Sequence, residues 1–151
     1  MIDRIKLRHW VALLVAALVM IFVTRWLPNG QNSDEASANI EQGTELYLAN
    51  CASCHGLYGE GDGPASMHLE TELRDLRYIA QRNNGEFPRQ LLIEIIDGRE
   101  SRAKHGPADM PIWGDAFTAF SSDVDDVQGE VSEKIAVLVE FLASIQQSQK
   151  P

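Results

Sequence analysis

The sequence predicts an all-α fold in which one N-terminal transmembrane helix precedes a small helical domain. Three patterns indicate this fold. Every residue from 10 to 23 is apolar. A helix is predicted over residues 88–96, where apolar residues form a stripe and Gly98 follows as a stop. Near the C-terminus, apolar residues recur at spacings of three and four, which marks one face of another helix; they are Ile135, Leu138, Val139 and Leu142.

Charge is distributed unevenly along the chain. The first 27 residues contain four basic side chains and one acidic side chain, whereas the remainder contains nine basic and 21 acidic ones, a formal charge of −12. A nucleic-acid-binding protein would present a basic surface, so this class is excluded. A basic protein partner would complement the acidic part, although an acidic surface can equally serve only solubility.

The apolar N-terminal segment is predicted to be an uncleaved membrane anchor. Counted through Leu27 it has 18 residues, near the lower limit for crossing a bilayer of about 30 Å. Basic residues precede it and are expected to stay cytoplasmic, so that the chain after Pro28 faces the periplasm or the cell exterior. A secretory signal peptide is the alternative, but the first small-x-small site, at residues 36–38, ends 15 residues after Val23.

The composition divides the chain into four predicted parts. Residues 1–28 form a basic stub and the anchor, and residues 29–39 are polar without an apolar period, which predicts a flexible linker. Residues 40–146 form the domain, and residues 147–151 form a polar tail. A random-coil linker of this length would let the domain move roughly 20 Å from the membrane.

The two cysteines belong to one motif, Cys51-Ala52-Ser53-Cys54-His55, which has the C-x-x-C-H spacing of haem attachment. On a helical turn, positions three apart face the same side, so both thiols can reach the vinyl groups on one edge of a porphyrin and form thioethers. His55 follows at once, which predicts it as the proximal iron ligand.

Two other readings of the cysteine pair remain possible. A thioredoxin-like redox centre would require a βαβ setting, and a zinc site would require two more ligands with similar spacing. Neither is visible in the sequence. A framework disulfide is not expected, because so small a loop would restrict the unfolded chain very little.

Few side chains of this sequence could bind the iron on the other face of the haem. A lone methionine usually packs in a core, but the haem motif upstream favours Met110 as an iron ligand. Pro111 stiffens the backbone beside it. A distant segment can also cross to the opposite face more easily than residues 12 or 13 positions beyond His55. The remaining candidates are Met67, His68, Lys104 and His105.

With these motifs the chain resembles the bacterial, class I mono-haem cytochromes c over residues 40–145. The attachment motif is followed by a glycine-rich loop at residues 56–64, by Arg74-Asp75-Leu76, by residues 95–99, and by Met110-Pro111-x-Trp113-Gly114. The attachment and methionine motifs are highly specific when they occur together. Residues 100–108 are longer and more polar than in compact members, which predicts a looser loop before Met110.

The resemblance implies a fold in which the N- and C-terminal helices cross around one covalently bound haem c. Gly43 and Tyr47 are expected near the contact on one helix, with Phe141 and Leu142 on the other. The small Gly43 is expected to let the helices approach closely.

The resemblance also implies a set of haem contacts. The Pro64 carbonyl is expected to accept the proton of the His55 imidazole, and Trp113 is expected to contact the haem. Haem is attached to c-type proteins outside the cytoplasm, which agrees with the predicted topology of Cys51 and Cys54.

Iron held by both His55 and Met110 has no open coordination site, which predicts a single-electron carrier and not an enzyme. The thioether favours the ferrous state and a relatively high potential. The expected partners are redox proteins of the respiratory membrane, with no small-molecule substrate. The alternatives are a haem-based gas or redox sensor and a structural haem subunit of a respiratory complex.

Overall fold

The computed structural model describes residues 4–26, 31–99 and 110–148. Regular structure in these ranges is helical, and they contain no strand, as an all-α fold requires. The predicted loop at residues 100–108, with Lys104 and His105, lies outside the described residues, as do Pro28 and the last three residues of the tail. The chain divides into two compact units, Met1–Asp34 and Glu35–Pro151.

The apolar N-terminal segment forms helix α1, Arg4–Trp26. The side chains of residues 13–22 are exposed. Over the ranges that the structure describes, no helix has both the length and the apolar character needed to cross a membrane. The predicted N-terminal helix is present.

The predicted linker is helical where the structure describes it. Residues 31–39 are the first half of helix α2, Gln31–Asn50. Good helix formers in this segment are Glu35, Ala36 and Ala38. Asp34 lies in the first turn, where the helix dipole favours an acidic side chain. The absence of an apolar period predicted a flexible linker, but it did not exclude a helix.

The second unit continues through short helices into one long one. Helix α5 ends as predicted, because Gly98 adopts a left-handed conformation (φ 69°) and its N–H donates to the Glu94 carbonyl at 3.0 Å. The α-helices are α3 (Ala52–His55), α4 (Ile79–Arg82), α5 (Arg89–Asp97), α6 (Trp113–Ala119) and α7 (Val127–Ser144). Two 3₁₀ helices, Ser66–His68 and Leu76–Tyr78, lie between α3 and α4.

Helices α2 and α7 pack closely at the predicted position. The rings of Tyr47 and Phe141 lie 4.7 Å apart. A Cβ added to Gly43 would overlap the carbonyl oxygen of Val137 and lie 2.9 Å from the Cβ of Phe141. The predicted apolar face of α7 is buried, with each of its four residues at most 6% exposed. The close approach expected from Gly43 is thus confirmed.

The C-terminal end of the second unit is held by hydrogen bonds that include Gln147, the first residue of the predicted polar tail. The Gln147 N–H donates to the Arg77 carbonyl at 2.8 Å, and its side-chain oxygen accepts from the Tyr78 hydroxyl at 2.8 Å. Gln146 donates to the Leu76 carbonyl at 2.9 Å. These bonds hold the 3₁₀ helix Leu76–Tyr78 against the end of α7.

Candidate haem site

A largely apolar cavity of about 280 Å³ lies within the second unit. Its walls come from α2 and α3, from residues 69–79, from α5, from residues 110–113 and from α7. Leucine and isoleucine side chains form half of the lining. Ligand sites are usually apolar cavities with a few polar groups that fix the orientation of the ligand.

The C-x-x-C-H motif forms one turn at the wall of this cavity. Helix α2 ends at Asn50, and the Cys51 N–H still donates to the Tyr47 carbonyl at 2.8 Å. The His55 N–H donates to the Cys51 carbonyl at 2.9 Å, which closes the turn. Cys51, Cys54 and His55 all line the cavity, and both thiols are free. The predicted same-side arrangement is therefore present.

The glycine-rich loop is hydrogen-bonded back onto this turn. N–H groups of Gly61, Gly63 and Ala65 donate to three successive carbonyls of the motif, at 2.8, 3.1 and 2.8 Å. A Cβ at Gly63 would lie only 2.5 Å from the carbonyl oxygen of Ser53. A side chain at that position would separate the loop from the motif, which explains the need for glycine there.

Tyr47 also holds the motif, a role that no sequence pattern indicates. Its hydroxyl is buried and donates to the Gly56 carbonyl at 2.7 Å, directly after His55. Burial raises the pKa of Tyr47, so the hydroxyl keeps the proton that it donates.

Burial favours the neutral forms of two motif residues, Cys51 and His55. Burial, with a smaller contribution from Cys54, raises the pKa of the Cys51 thiol to about 12. Reactive and zinc-bound cysteines instead have a lowered pKa, since both use the thiolate. Burial lowers the pKa of His55, which keeps its imidazole neutral and able to bind a metal. A neutral thioether at Cys51 suits this environment.

A zinc site finds no further support in the structure. Within residues 4–26, 31–99 and 110–148, no group of three or more His, Cys, Asp or Glu side chains could hold a metal ion. Four-coordinate structural zinc requires such a group. Together with the raised pKa of Cys51, this disfavours both alternatives to haem attachment.

One buried polar atom at the site lacks a partner. Nδ1 of His55 is buried and has no hydrogen-bond partner in the structure. Leaving such an atom unsatisfied costs about 1–3 kcal/mol. The residues at the site fit a covalently bound haem, which needs apolar walls, two free thiols on one side and a neutral imidazole.

The predicted hydrogen bond from His55 to Pro64 is absent. Pro64 is exposed and does not line the cavity, and Nδ1 of His55 has no partner. The reason is local, because the N–H groups of Gly63 and Ala65, on either side of Pro64, bond the carbonyls of Cys54 and Ser53. These bonds fix the loop with Pro64 at the surface.

Met110 and Trp113 belong to one short segment at the cavity wall. Both line the cavity, and Met110 packs against the buried core. The Trp113 ring stacks on that of Phe117 at 5.4 Å. By contrast, Met67 is 79% exposed, and neither it nor the exposed His68 lines the cavity. The structure thus favours Met110 among the described candidates.

Residues 69–79 supply a wall of the cavity that the sequence analysis did not assign. Apolar residues spaced four, three and three apart were the available signal, although the segment forms irregular chain and a 3₁₀ helix instead of one long helix. The apolar side chains that line the cavity are Leu69, Leu73, Leu76 and Ile79.

The all-helical fold and this site define a c-type cytochrome domain. A sequence profile of the family described as "Cytochrome C oxidase, cbb3-type, subunit III" matches residues 38–128, more than half of the chain. The chain belongs to this family, and it carries a covalently bound c-type haem with its iron; Cys51 and Cys54 fit the attachment motif. No curated protein and no solved structure matches the chain.

Proposed function

We propose that this protein is a single-electron carrier whose haem is bound through Cys51 and Cys54, with His55 and Met110 as the axial iron ligands. The observation that supports it is the meeting of all four side chains at one apolar cavity. The bound group supplies reversible one-electron exchange between ferrous and ferric iron.

The ligating side chains determine the character of the carrier. The neutral imidazole of His55 and the soft thioether of Met110 favour the ferrous state, and hence a relatively high reduction potential. With His55 and Met110 as its two ligands, the iron would have no open position for a substrate. This argues for electron transfer in place of catalysis.

The apolar lining contributes to the same function. Leu92, Ile96 and Leu138 are at most 9% exposed and line the cavity. They exclude water from the site, and a dry surrounding disfavours the charge of the oxidised state. The lining therefore raises the potential in the same direction as the thioether.

Helix α1 is proposed as a membrane anchor that leaves the haem domain on the exported side. The support is its run of 14 apolar residues after a basic segment. The family is described as a subunit of a cytochrome c oxidase. We therefore infer redox protein partners within a membrane respiratory complex, with a basic surface opposite the acidic domain.

Carbon monoxide tests the axial ligation. The reduced wild-type protein is expected to bind it slowly at neutral pH, because Met110 occupies the iron position. The Met110→Ala variant is expected to bind it rapidly, and the matched control Met67→Ala, which changes an exposed methionine, is expected to behave as wild type. Rapid stoichiometric binding by the wild type would contradict the proposal and favour the gas sensor.

Reoxidation by membranes tests the carrier role. The reduced full-length protein is mixed with membranes that contain quinol-oxidising complexes and terminal oxidases, and haem absorbance is followed. We expect reoxidation that slows with rising salt, since charged surfaces steer association. Failure to exchange electrons with any of these complexes would point to a structural haem subunit.

Fractionation tests the anchor. The full-length chain is expected in salt-washed membranes. A variant in which a cleavable export signal replaces residues 1–28 is expected in the soluble fraction. Recovery of the full-length haem protein in the soluble fraction would contradict anchoring by α1.

A further inference from the structure

An ion pair at the end of α5 has no part in the function proposed so far. Arg99 Nε donates to Asp97 Oδ1 at 2.5 Å, and Arg99 Nη2 donates to Asp97 Oδ2 at 2.9 Å. The pair is therefore bidentate, the geometry in which arginine and carboxylate hold each other most firmly. The two side chains are only 30% and 28% exposed, so the pair is partly shielded from solvent.

This ion pair packs against the backbone at the start of α6. Gly114 is buried, and a Cβ added there would overlap Asp97 Oδ1 and lie 2.5 Å from Arg99 Nε. Only a residue without a side chain lets the pair come this close. The neighbouring Gly98 is also close to this segment, since its Cβ position lies 3.4 Å from Cγ2 of Ile112.

The same pair is tied to a third element. Arg99 Nη1 donates to Gln128 Oε1 at 2.9 Å, at the start of α7. Helix α7 is the most deeply buried helix of the unit, so Arg99 connects the end of α5 to a rigid part of the fold. The segment that contains Met110 and Trp113 is thereby held against two helices.

We propose that the Asp97–Arg99 ion pair, packed on Gly114, is a positioning device that keeps the segment 110–114 in place and so holds the Met110 sulfur on the haem iron. The inference rests on the proposed function, in which Met110 is an axial ligand. Neither Asp97 nor Arg99 lines the cavity, so they act through the segment and not by direct contact.

The physical reason is that a methionine ligand is held weakly and depends on its support. A ligand must be held within about 0.5 Å of its bonding position by surrounding contacts. When the support is lost, the population with the sulfur detached rises, although nothing at the iron has changed. Three readouts report that population: the absorption band of sulfur bound to ferric iron, the reduction potential and the rate of carbon monoxide binding.

The test uses the full haem-loaded protein and two variants, Arg99→Gln and Gly114→Ala. Arg99→Gln removes the ion pair, and the added methyl group of Gly114→Ala overlaps the side chains of Asp97 and Arg99. Both are expected to weaken the sulfur–iron band, to lower the potential and to speed carbon monoxide binding roughly tenfold.

The matched control is Arg89→Gln, which removes another ion pair on α5, with Glu140. That pair is more exposed and belongs to the outer surface of α5 and α7. The control is expected to leave all three readouts as in the wild type, with haem content unchanged in every variant.

The comparison with Met110→Ala separates the two proposals. If Met110→Ala itself leaves the band and the carbon monoxide rate unchanged, the proposed axial ligation fails. If Met110→Ala changes them but Arg99→Gln and Gly114→Ala match the wild type, only the positioning role is overturned. An equal effect of Arg89→Gln would also overturn it, because general loss of stability would then be the cause.

Discussion

Single side chains around the attachment motif hold it more firmly than its own four-residue helix could. An isolated helical turn is not stable in water, because nucleation is unfavourable. The Tyr47 hydroxyl bonds the Gly56 carbonyl from a position two turns earlier in the chain. The Tyr47 ring also packs on the ring of Phe141 in α7. The position of His55 therefore depends on the core and not on the motif alone.

The variant Tyr47→Phe is expected to destabilise the protein by about 0.5–1.5 kcal/mol, because one buried hydrogen bond is lost while the ring contact remains. Urea unfolding of the haem-loaded protein measures it. Tyr58→Phe is the control, since Tyr58 is 70% exposed. Equal stability of the Tyr47 variant and the wild type would show that the hydroxyl has no role.

Whole elements are positioned by a few close approaches. Helices α2 and α7 meet at Gly43, where no side chain separates the two backbones. The N-terminus of α7 is organised by Glu130, which accepts from the N–H groups of Ser122 and Asp123 at 3.0 and 2.9 Å and pairs with Lys134. These contacts determine where α7 lies, and α7 forms one wall of the cavity.

The variant Gly43→Ala is expected to destabilise the haem-loaded protein by about 1–3 kcal/mol, because the added methyl group forces the helices apart. The expected readout is a lower urea midpoint. Gln42→Ala, the exposed neighbour on the same helix, is the control. An unchanged midpoint for Gly43→Ala would mean that the helices do not approach as closely as the structure has them.

Acid is expected to weaken the contribution of Glu130. Hydrogen bonds from Lys134, Ser121 and the Asp123 backbone lower the pKa of Glu130 from 4.5 to about 2. A carboxyl with a lowered pKa stabilises the folded state above its unfolded pKa, and this stability is lost as the pH falls toward the folded value.

The stability difference between wild type and Glu130→Gln should therefore be complete at pH 7 and shrink between pH 4.5 and about 2. Urea midpoints at several pH values measure it. Glu133→Gln, at an exposed site on the same helix, is the control. A difference that stays constant down to pH 3 would contradict this role of Glu130.

At the scale of the whole molecule, the haem completes the core of the second unit. Without it, the fold would contain an apolar cavity of about 280 Å³. At about 24 cal/mol per Å³, such a cavity costs on the order of 7 kcal/mol. This is comparable to the total stability of a small domain, about 5–15 kcal/mol. Folding and haem binding are therefore expected to be coupled.

The double variant Cys51→Ala with Cys54→Ala is expected to be exported and largely unfolded, because the haem is no longer attached. Far-ultraviolet circular dichroism and thermal unfolding measure this. Ser53→Ala, an exposed position within the motif, is the control. A haem-free double variant that keeps its helical circular dichroism and unfolds cooperatively on heating would refute the prediction.

Sequence reasoning worked where a feature depends on local pattern. The helical faces of α5 and α7 follow from spacing, and the cavity-lining positions of Cys51, Cys54 and His55 follow from the geometry of one turn. Met110 was predicted from the haem motif upstream and the adjoining Pro111, and it lines the cavity. The role of Gly43 came from the resemblance to the class I family and is present in the structure.

Features that depend on tertiary hydrogen bonds were not predictable in this way. The polar residues 31–39 continue a helix whose packed half lies further along the chain. Gln147 belongs to the domain because it bonds Arg77 and Tyr78, about 70 residues earlier. Pro64 lies at the surface because its neighbours bond the motif. The Asp97–Arg99 pair and Gly114 meet only after folding.

The central claim is that Met110 and His55 hold the iron of a one-electron carrier. It is tested most directly by redox titration of the full-length protein and its Met110→Ala variant, followed by haem absorbance. The wild type is expected to titrate as a single one-electron couple, with a potential clearly above that of the variant. Identical potentials in the two proteins would contradict the account.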